Sequence, residues 1–185
     1  MTTYVAMLRG INVSGHNIIK MERLRAVFED LGFAQVRTYV QSGNVIFETD
    51  DPPTGLAAKI ERRILDEFGF EVPALTKSAK ELKDIVKRNL FVKDPAIDQS
   101  KLHVTFLSDD PPRNALGALE PLASGAEQVR IAGRAVYLCC PNGYGNTKLT
   151  NTAIEKKLSC RATTRNWATT NKLLEMANSR TLTSP

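Results

Sequence analysis

The chain has 185 residues, of which 42% are hydrophobic and 24% are charged; this composition is typical of a folded soluble protein and excludes a disordered one. No apolar run approaches the roughly 20 residues of a membrane-spanning helix, which excludes a protein anchored by such a helix. The net charge of +5 is concentrated after residue 76, where 17 Lys/Arg stand against 10 Asp/Glu, and this indicates either an anionic partner or solvated basic helix faces.

Hydrophobic periodicity divides the first 76 residues into alternating strands and helices. The predicted elements are a strand at 4–8, a helix at 21–31 that ends at Gly32, strands at 36–40 and 45–49, a helix capped by Thr54, and a strand at 72–75. Gln41-Ser42-Gly43-Asn44 joins the two middle strands as a hairpin turn. The order βαββαβ is that of the ferredoxin-like fold.

The same order begins again in the second half of the chain. Ser78 and Glu81 predict a capping box that opens a linking helix, whose apolar face ends at Leu90. The elements predicted after it are a strand at 102–107, a helix with Leu116, Leu119 and Leu122, a hairpin of strands at 129–131 and 135–139, a helix at 150–158, an extended piece near Arg161, and a helix from about Arg165 to Asn178.

Together these elements predict an α+β fold of two tandem ferredoxin-like units of the βαββαβ type, each with an antiparallel sheet. The first unit is expected at 1–76 and a linking helix and loop at 77–100. The second unit, which ends in basic C-terminal helices, is expected at 101–185.

The cysteines indicate a reducing compartment. Cys139, Cys140 and Cys160 are odd in number and match neither a disulfide framework nor a metal-ligand spacing. Residues 1–7 lack a basic stretch followed by a long apolar core, so we expect no secretory signal. We therefore predict a cytoplasmic location, no metal and no cofactor, with the three thiols acting as small hydrophobic groups.

The loop after the first predicted strand is rich in polar residues and glycines. Gly10 and Gly15 permit a positive φ or a close approach to a ligand. Arg9 offers a planar set of donors for a carboxylate or phosphate, and Asn12 can both donate and accept. We take Arg9 and Asn12 as candidate ligand contacts, the alternative being a loop whose side chains bind their own backbone.

The predicted hairpin turn contains two further candidate ligand contacts, which depend on where the turn lies in the fold. Gln41 and Asn44 become candidate ligand contacts if this turn lies beside the loop at 9–17. A plain tight turn is the simpler interpretation of these residues.

The segment at 142–151 follows a predicted strand and precedes a helix. Backbone N–H groups at a helix start suit a phosphate, and Lys148 lies beside them. The segment does not match a phosphate-binding P-loop. Tyr144 and Lys148 have the spacing of a dehydrogenase pair, but Gly145 between them disfavours the single helix that such a pair needs. The segment therefore favours an anion-binding loop, with a plain turn as the alternative.

The segment at 163–167 is predicted as a helix start capped by Thr163 or Thr164. Arg165 beside a positive helix end is unfavourable unless an anion or carboxylate lies near. Arg165 and Asn166 are therefore candidate ligand contacts. Trp167, the only tryptophan, is expected to anchor the helix to the core.

Four motifs stand in order along the chain: Leu-Arg-Gly-Ile-Asn-Val at 8–13, Tyr-Val-Gln-Ser-Gly-Asn-Val-Ile-Phe at 39–47, Tyr-Gly-Asn-Thr-Lys-Leu-Thr-Asn at 144–151 and Thr-Thr-Arg-Asn-Trp at 163–167. In these motifs the chain resembles the bacterial family called domain of unknown function 1697. It departs at Ser14, where glycine is usual, and at Ala168, where Asn is common. The resemblance implies an α+β fold and a cytoplasmic setting, and it implies no established activity.

Three hypotheses for function follow. The favoured one is a binding protein for an anionic partner, either a phosphorylated small molecule or a nucleic acid, with Arg9 and Asn12 facing Lys148 and Arg165 across a common cleft. The second is a group-transfer enzyme that uses Arg, Lys or Tyr, because His16 and a mid-strand His103 do not suggest a nucleophilic triad. The third is a homodimer formed through sheet edges.

Overall fold

The structure is a computed structural model that describes residues 1–179. The chain divides into two compact units: Met1–Leu82 together with the chain from Leu173 onward, and Lys83–Lys172. The boundaries expected at 1–76, 77–100 and 101–185 stay predictions, and the last six residues of the expected second unit lie outside the described residues. No helix among residues 1–179 has the length and apolar character needed to cross a membrane.

The first unit contains one antiparallel sheet in the strand order β2-β3-β1-β4. Its elements are β1 (Thr2–Leu8), α1 (Met21–Asp30), β2 (Ala34–Tyr39), β3 (Asn44–Thr49), α2 (Leu56–Phe68), β4 (Ala74–Ser78) and α3 (Ala79–Lys87), the last of which continues into the second unit. Apolar residues of α1 and α2 pack against alternate residues of β1 and β3 to form the core. Phe28, Phe33 and Phe47 form its aromatic centre.

The second unit repeats this topology, with the strand order β6-β7-β5-β8. Its elements are β5 (Leu102–Leu107), α4 (Ala115–Leu119), β6 (Gln128–Ala132), β7 (Ala135–Cys139), α5 (Asn151–Leu158), β8 (Ala162–Asn166) and α6 (Trp167–Asn178), which ends in the first unit. Two sheets of this order, each with two helices on one face, confirm the predicted tandem ferredoxin-like fold.

Several local predictions hold in physical detail. Helix α1 is followed by Gly32, which has a φ of +80°, and the buried Phe33 packs back on the core. The capping box before α3 is present, since Ser78 and Glu81 exchange side-chain and backbone hydrogen bonds.

Other local predictions were wrong. Helix α2 is preceded by Gly55 in the left-handed conformation, with no side-chain cap, and not by Thr54. Strand β4 begins at Ala74, two residues later than expected, immediately after Pro73, which has no N–H to give to a sheet. Leu90 and Leu116 are exposed instead of lying on apolar helix faces.

The predicted helix start at 163–167 is the most informative error. Thr163 and Thr164 belong to strand β8, and α6 begins only at Trp167. The cap is Asn166, whose Oδ1 accepts a hydrogen bond of 2.7 Å from the N–H of Thr169. Because β8 passes directly into α6, the polar motif lies at a strand–helix junction.

The two units can be aligned through strand register. In the first, Tyr4 of β1 is opposite Ser78, the last residue before a helix. In the second, His103 of β5 is opposite Asn166, again the last residue before a helix. Tyr4 is buried and stacks on Phe47, whereas His103 is only half-buried. The same position is thus filled by an aromatic ring in one unit and partly open in the other.

A second equivalence concerns cations. Lys77 is opposite Val5 in the first sheet, and Arg165 is opposite Val104 in the second. Each is the residue before the last of its strand. Successive residues of a strand point to opposite faces, so Lys77 and Arg165 share their face with Val5 and Val104 and not with Tyr4 and His103.

The hairpin turn of the first unit leaves no room for a side chain at Gly43. A Cβ there would lie 2.8 Å from Leu8 Cβ and 2.8 Å from Ile11 Cδ1, and the φ of Gly43 is +78°. Gly10 has a similar φ of +75°, yet a Cβ there would meet nothing within 4 Å. Substitution of Gly10 therefore tests backbone strain alone, whereas substitution of Gly43 tests backbone strain together with steric overlap.

We expect Gly43→Ala to lower the free energy of unfolding by about 2 to 5 kcal/mol, since left-handed strain and overpacking add. Gly10→Ala should lower it by only about 1 to 2 kcal/mol, through the backbone alone. Chemical denaturation of the two variants measures both values. Equal losses would show that the turn can move away from Ile11 at no cost.

Candidate functional site

A cavity of about 700 Å³ opens on the second unit where β8 meets α6. Its walls come from a short turn before β5 (Gln99 and Ser100), from His103, and from Asn166, Trp167 and Asn171. Protein cavities of roughly 300–1,000 Å³ are typical of small-ligand sites. Polar residues and one tryptophan therefore line an open cavity of ligand size.

The start of α6 lies at this cavity because strand β8 runs into the helix without a loop. The first N–H groups of a helix have no partner within the helix, and its N-terminus carries a partial positive charge. The Asn166 side chain uses the N–H of Thr169. Trp167 and Ala168, the first two residues of α6, also line the cavity, and their backbone N–H groups precede that of Thr169 in the same turn.

The hydrogen bonds of Asn166 and Asn171 fix the orientation of both amides. Asn166 accepts from a backbone N–H, so the accepting atom is Oδ1 and its Nδ2 remains as a donor. Asn171 donates from Nδ2 to the carbonyl of Trp167 at 2.8 Å, so its Oδ1 remains as an acceptor. The cavity wall thus carries one amide donor and one amide acceptor.

The orientation and charge state of His103 follow from similar reasoning. Its Nδ1 lies 3.3 Å from the carbonyl oxygen of Lys101. Because a carbonyl can only accept, Nδ1 carries the proton and Nε2 is the acceptor when the ring is neutral. Burial lowers the pKa of His103 below its ordinary value of 6.5, more than the Lys101 hydrogen bond raises it, so the neutral form prevails at neutral pH. The Tyr144 ring stacks on His103, with the ring centres 4.8 Å apart.

Arg165 is adjacent to Asn166 in sequence but lies on the other face of β8. Its Nη1 donates to Thr163 Oγ1 at 3.0 Å and to the Thr164 carbonyl at 2.9 Å. Burial lowers the pKa of Arg165 to about 10, with a smaller opposing effect from Tyr144. Arg165 lies beside the start of α6, as expected, because it is the residue before the cap Asn166, but it belongs to strand β8 and not to the helix.

The segment at 142–151 is a structured turn after β7. Tyr144 begins a short 3₁₀ turn and contributes to the site through its stacking on His103. Lys148 is exposed and precedes α5, which is capped by the Thr150 hydroxyl. Of the four candidates in the second unit, Asn166 lines the cavity, Tyr144 supports it through His103, and Arg165 and Lys148 do not line it.

In the first unit the structure brings the 9–17 loop and the hairpin turn together. Asn12 Nδ2 donates to the carbonyls of Gln41 at 2.9 Å and Ile19 at 3.0 Å. Its Oδ1 accepts from the N–H of Ile19 at 2.8 Å. The Asn12 side chain therefore joins the loop to the turn, and Gln41 remains exposed beside it.

The two remaining candidates of the first unit have different surroundings. Asn44 is fully buried, and its Nδ2 donates to Ser42 Oγ at 2.9 Å, so it presents no surface to a ligand. Arg9 is half-buried after β1, and its N–H donates to the Pro73 carbonyl. The convergence of Arg9 and Asn12 with Lys148 and Arg165 on one cleft stays a prediction.

The comparison with protein families gives a match to a model described as "Protein of unknown function (DUF1697)" over residues 1–137. The chain belongs to this family. The family model covers the motifs at 8–13 and 39–47, whereas those at 144–151 and 163–167 lie beyond it. Membership confirms the resemblance and, because the family has no described function, assigns none.

The comparison with solved structures gives a conserved bacterial protein from Streptococcus pneumoniae. It is 22% identical to this DUF1697 member, with a TM-score of 0.75, over 96% of this chain and 99% of that chain. At this identity the likeness shows the fold alone. No curated protein matches the chain.

The cavity of this DUF1697 member includes residues that the sequence did not indicate, namely Gln99, Ser100, His103 and Asn171. The sequence places His103 in the middle of a strand, where it suggests no catalytic triad and no ligand contact. The missing information is the pairing of β5 with β8, which places His103 opposite Asn166. Within residues 1–179 no group of His, Cys, Asp or Glu residues could hold a metal ion.

A shallower depression of about 470 Å³ lies elsewhere on the second unit, beside Lys87, Arg88 and Leu90. These three residues are exposed. The cavity at α6 is the better candidate because its hydrogen-bonding groups are held in fixed orientations by internal hydrogen bonds.

The lowered pKa of His103 predicts a pH-dependent stability. The folded-state pKa lies below the unfolded value of 6.5, so unfolding takes up a proton and stability falls as pH drops from above 6.5 toward the folded pKa. We expect the wild type to lose stability relative to His103→Gln as the pH falls below about 7.5, which is about one unit above the unfolded pKa of 6.5. Urea unfolding at several pH values measures this difference, and parallel curves for the two proteins would contradict it.

Proposed function

We propose that this protein binds a phosphorylated small molecule in the cavity of its second unit. The observation that carries the proposal is the position of the cavity at the start of α6, where Asn166 Nδ2 and the first backbone N–H groups offer donors. Helix N-termini bind phosphate groups through such N–H donors and through the helix dipole.

The charge of the second unit supports an anionic ligand. Residues 83–172 carry 14 Lys/Arg and 8 Asp/Glu, a net charge of +6. A net positive field raises the local concentration of anions and speeds their association. The cavity wall itself is neutral, since His103 is uncharged at neutral pH, so an anion enters without meeting a buried carboxylate among the lining residues.

The size of the cavity favours a small molecule over a nucleic acid. A volume of about 700 Å³ in a cavity that is open to solvent suits a compact ligand. A single strand of nucleic acid is instead bound along an extended basic groove with successive aromatic platforms, whereas Trp167 is the one tryptophan here and is 8% exposed.

We also propose a cytoplasmic setting, which is supported by the absence of a disulfide bond among Cys139, Cys140 and Cys160. The edge strands of the two sheets are β2 and β4 in the first unit and β6 and β8 in the second. A homodimer formed through such edges stays a prediction. The group-transfer enzyme with Arg9, Tyr144, Lys148 or Arg165 also stays a prediction.

We expect Asn166→Asp to weaken the binding of inorganic phosphate and of alkyl phosphates by at least about tenfold, the equivalent of about 1.4 kcal/mol. Aspartate is as good a helix cap as asparagine, so α6 keeps its start. It loses the Nδ2 donor and places a negative charge where the phosphate binds. Titrations followed by nuclear magnetic resonance measure the affinity and report which backbone amides shift.

Thr150→Asp is the matched control, because Thr150 caps α5 in the same unit and does not line the cavity. It adds the same charge at a helix start and should leave phosphate binding within about twofold of the wild type. The proposal fails if phosphate leaves the amides of Trp167 and Ala168 unshifted, or if both variants weaken binding equally. Binding of an oligonucleotide that neither inorganic phosphate nor an alkyl phosphate displaces would favour the nucleic-acid alternative.

A further inference from the structure

We propose that the ligand is a phosphorylated polyhydroxy compound, such as a sugar phosphate, whose hydroxyl groups donate to His103 Nε2 and Asn171 Oδ1. This inference rests on the proposed function and names the class of molecule that the same cavity selects. It follows from the two acceptor atoms, His103 Nε2 and Asn171 Oδ1, that the hydrogen bonds of His103 Nδ1 and Asn171 Nδ2 do not use.

The first acceptor is His103 Nε2. The ring has its Nδ1 proton committed to the Lys101 carbonyl and one face covered by Tyr144. Both contacts hold the imidazole in one orientation, with Nε2 on the side of the ring opposite the Lys101 contact. Since His103 lines the cavity, a ligand there satisfies Nε2 only by bringing a donor, such as a hydroxyl group.

The second acceptor is Asn171 Oδ1. The amide is fixed because its Nδ2 donates to the Trp167 carbonyl one turn earlier in α6. Rotation of the amide by half a turn would break this bond and set two oxygens against each other, so Oδ1 is the atom of this cavity-lining amide that is left as an acceptor. A phosphate oxygen cannot donate to it, whereas a hydroxyl group can.

Donors for the phosphate lie within reach of these acceptors. Asn166 and His103 are directly opposite in the antiparallel pairing of β8 and β5, which places their Cβ atoms about 4.5–5.5 Å apart. A molecule that places its phosphate at Asn166 and the start of α6 thus has its next few atoms beside His103. Gln99 and Ser100 add groups that both donate and accept, which suits further hydroxyls.

The first unit provides an internal comparison for this arrangement. At the positions of His103 and Asn166 it has Tyr4 and Ser78. The Tyr4 ring is buried against Phe47, and Ser78 is bound to Glu81 in a capping box. The fold therefore does not require His or Asn at these positions, and the second unit departs from the first where the cavity opens.

Two pairs of probes test the inference on the full-length protein. Ribose 5-phosphate is compared with tetrahydrofurfuryl phosphate, which keeps the ring and the phosphate but has no hydroxyl groups on the ring. Glycerol 3-phosphate is compared in the same way with propyl phosphate. Isothermal titration calorimetry should show that at least one hydroxylated member binds about tenfold or more tightly than its partner.

The variant His103→Phe removes the acceptor but keeps a flat ring to stack on Tyr144. We expect it to abolish the preference for the hydroxylated probe, so that the two members of a pair bind with the same affinity. A far-ultraviolet circular dichroism spectrum like that of the wild type shows that the variant is folded. Tyr4→Phe, at the equivalent position of the first unit, is the matched control and should keep the full preference.

The possible outcomes separate the two proposals. If the members of each pair bind equally well, and Asn166→Asp weakens both, the inference is overturned and the phosphate site stands. If neither the probes nor inorganic phosphate bind, both proposals are overturned. If adenosine monophosphate binds more than tenfold more tightly than ribose 5-phosphate and keeps this affinity in His103→Phe, the base is the recognised part and the inference is overturned.

Discussion

The junction at which β8 becomes α6 is the constraint on which the site depends. Asn166 is the last residue of the strand and the cap of the helix, so one side chain both begins α6 and stands opposite His103 in the sheet. A loop between the two elements would separate these roles and move the helix start away from β5. The direct connection instead places a helix N-terminus, a fixed amide and an imidazole around one space.

The two units have the same topology but different side chains at equivalent positions. Both have the same strand order, and both carry a cation before the last residue of the fourth strand, Lys77 in one and Arg165 in the other. They differ in the residue opposite the helix cap. In the first unit this residue is a buried tyrosine, which packs on phenylalanine and stabilises the unit through apolar contact. In the second unit it is a histidine whose Nδ1 is hydrogen-bonded and whose Nε2 can accept a further hydrogen bond.

Local rules predicted most of the fold, because the elements follow from hydrophobic period and from turn residues such as Gly32 and the Ser78–Glu81 pair. They failed at the motif of residues 163–167, where two threonines before a polar run look like a helix cap but form a strand. Residues 163–166 form a strand because they pair with β5, whose residues lie about 60 positions earlier, and such a distant pairing cannot be recognised in the local sequence.

The site could not be predicted fully for the same reason. Asn166 was a candidate from its own segment, but His103 and Asn171 become candidates only when the structure shows that β5, β8 and α6 lie together. Asn12 shows the converse, since its binding capacity is used within its own unit.

The placement of Trp167 has a practical consequence. It is the only tryptophan in the chain and forms part of the cavity wall, 8% exposed, at the first residue of α6. The emission of an indole depends on the polarity and mobility of its immediate surroundings, and here no second indole contributes to the signal. The protein therefore carries an intrinsic optical probe at the cavity, which can be used to screen unlabelled compounds without any engineered reporter.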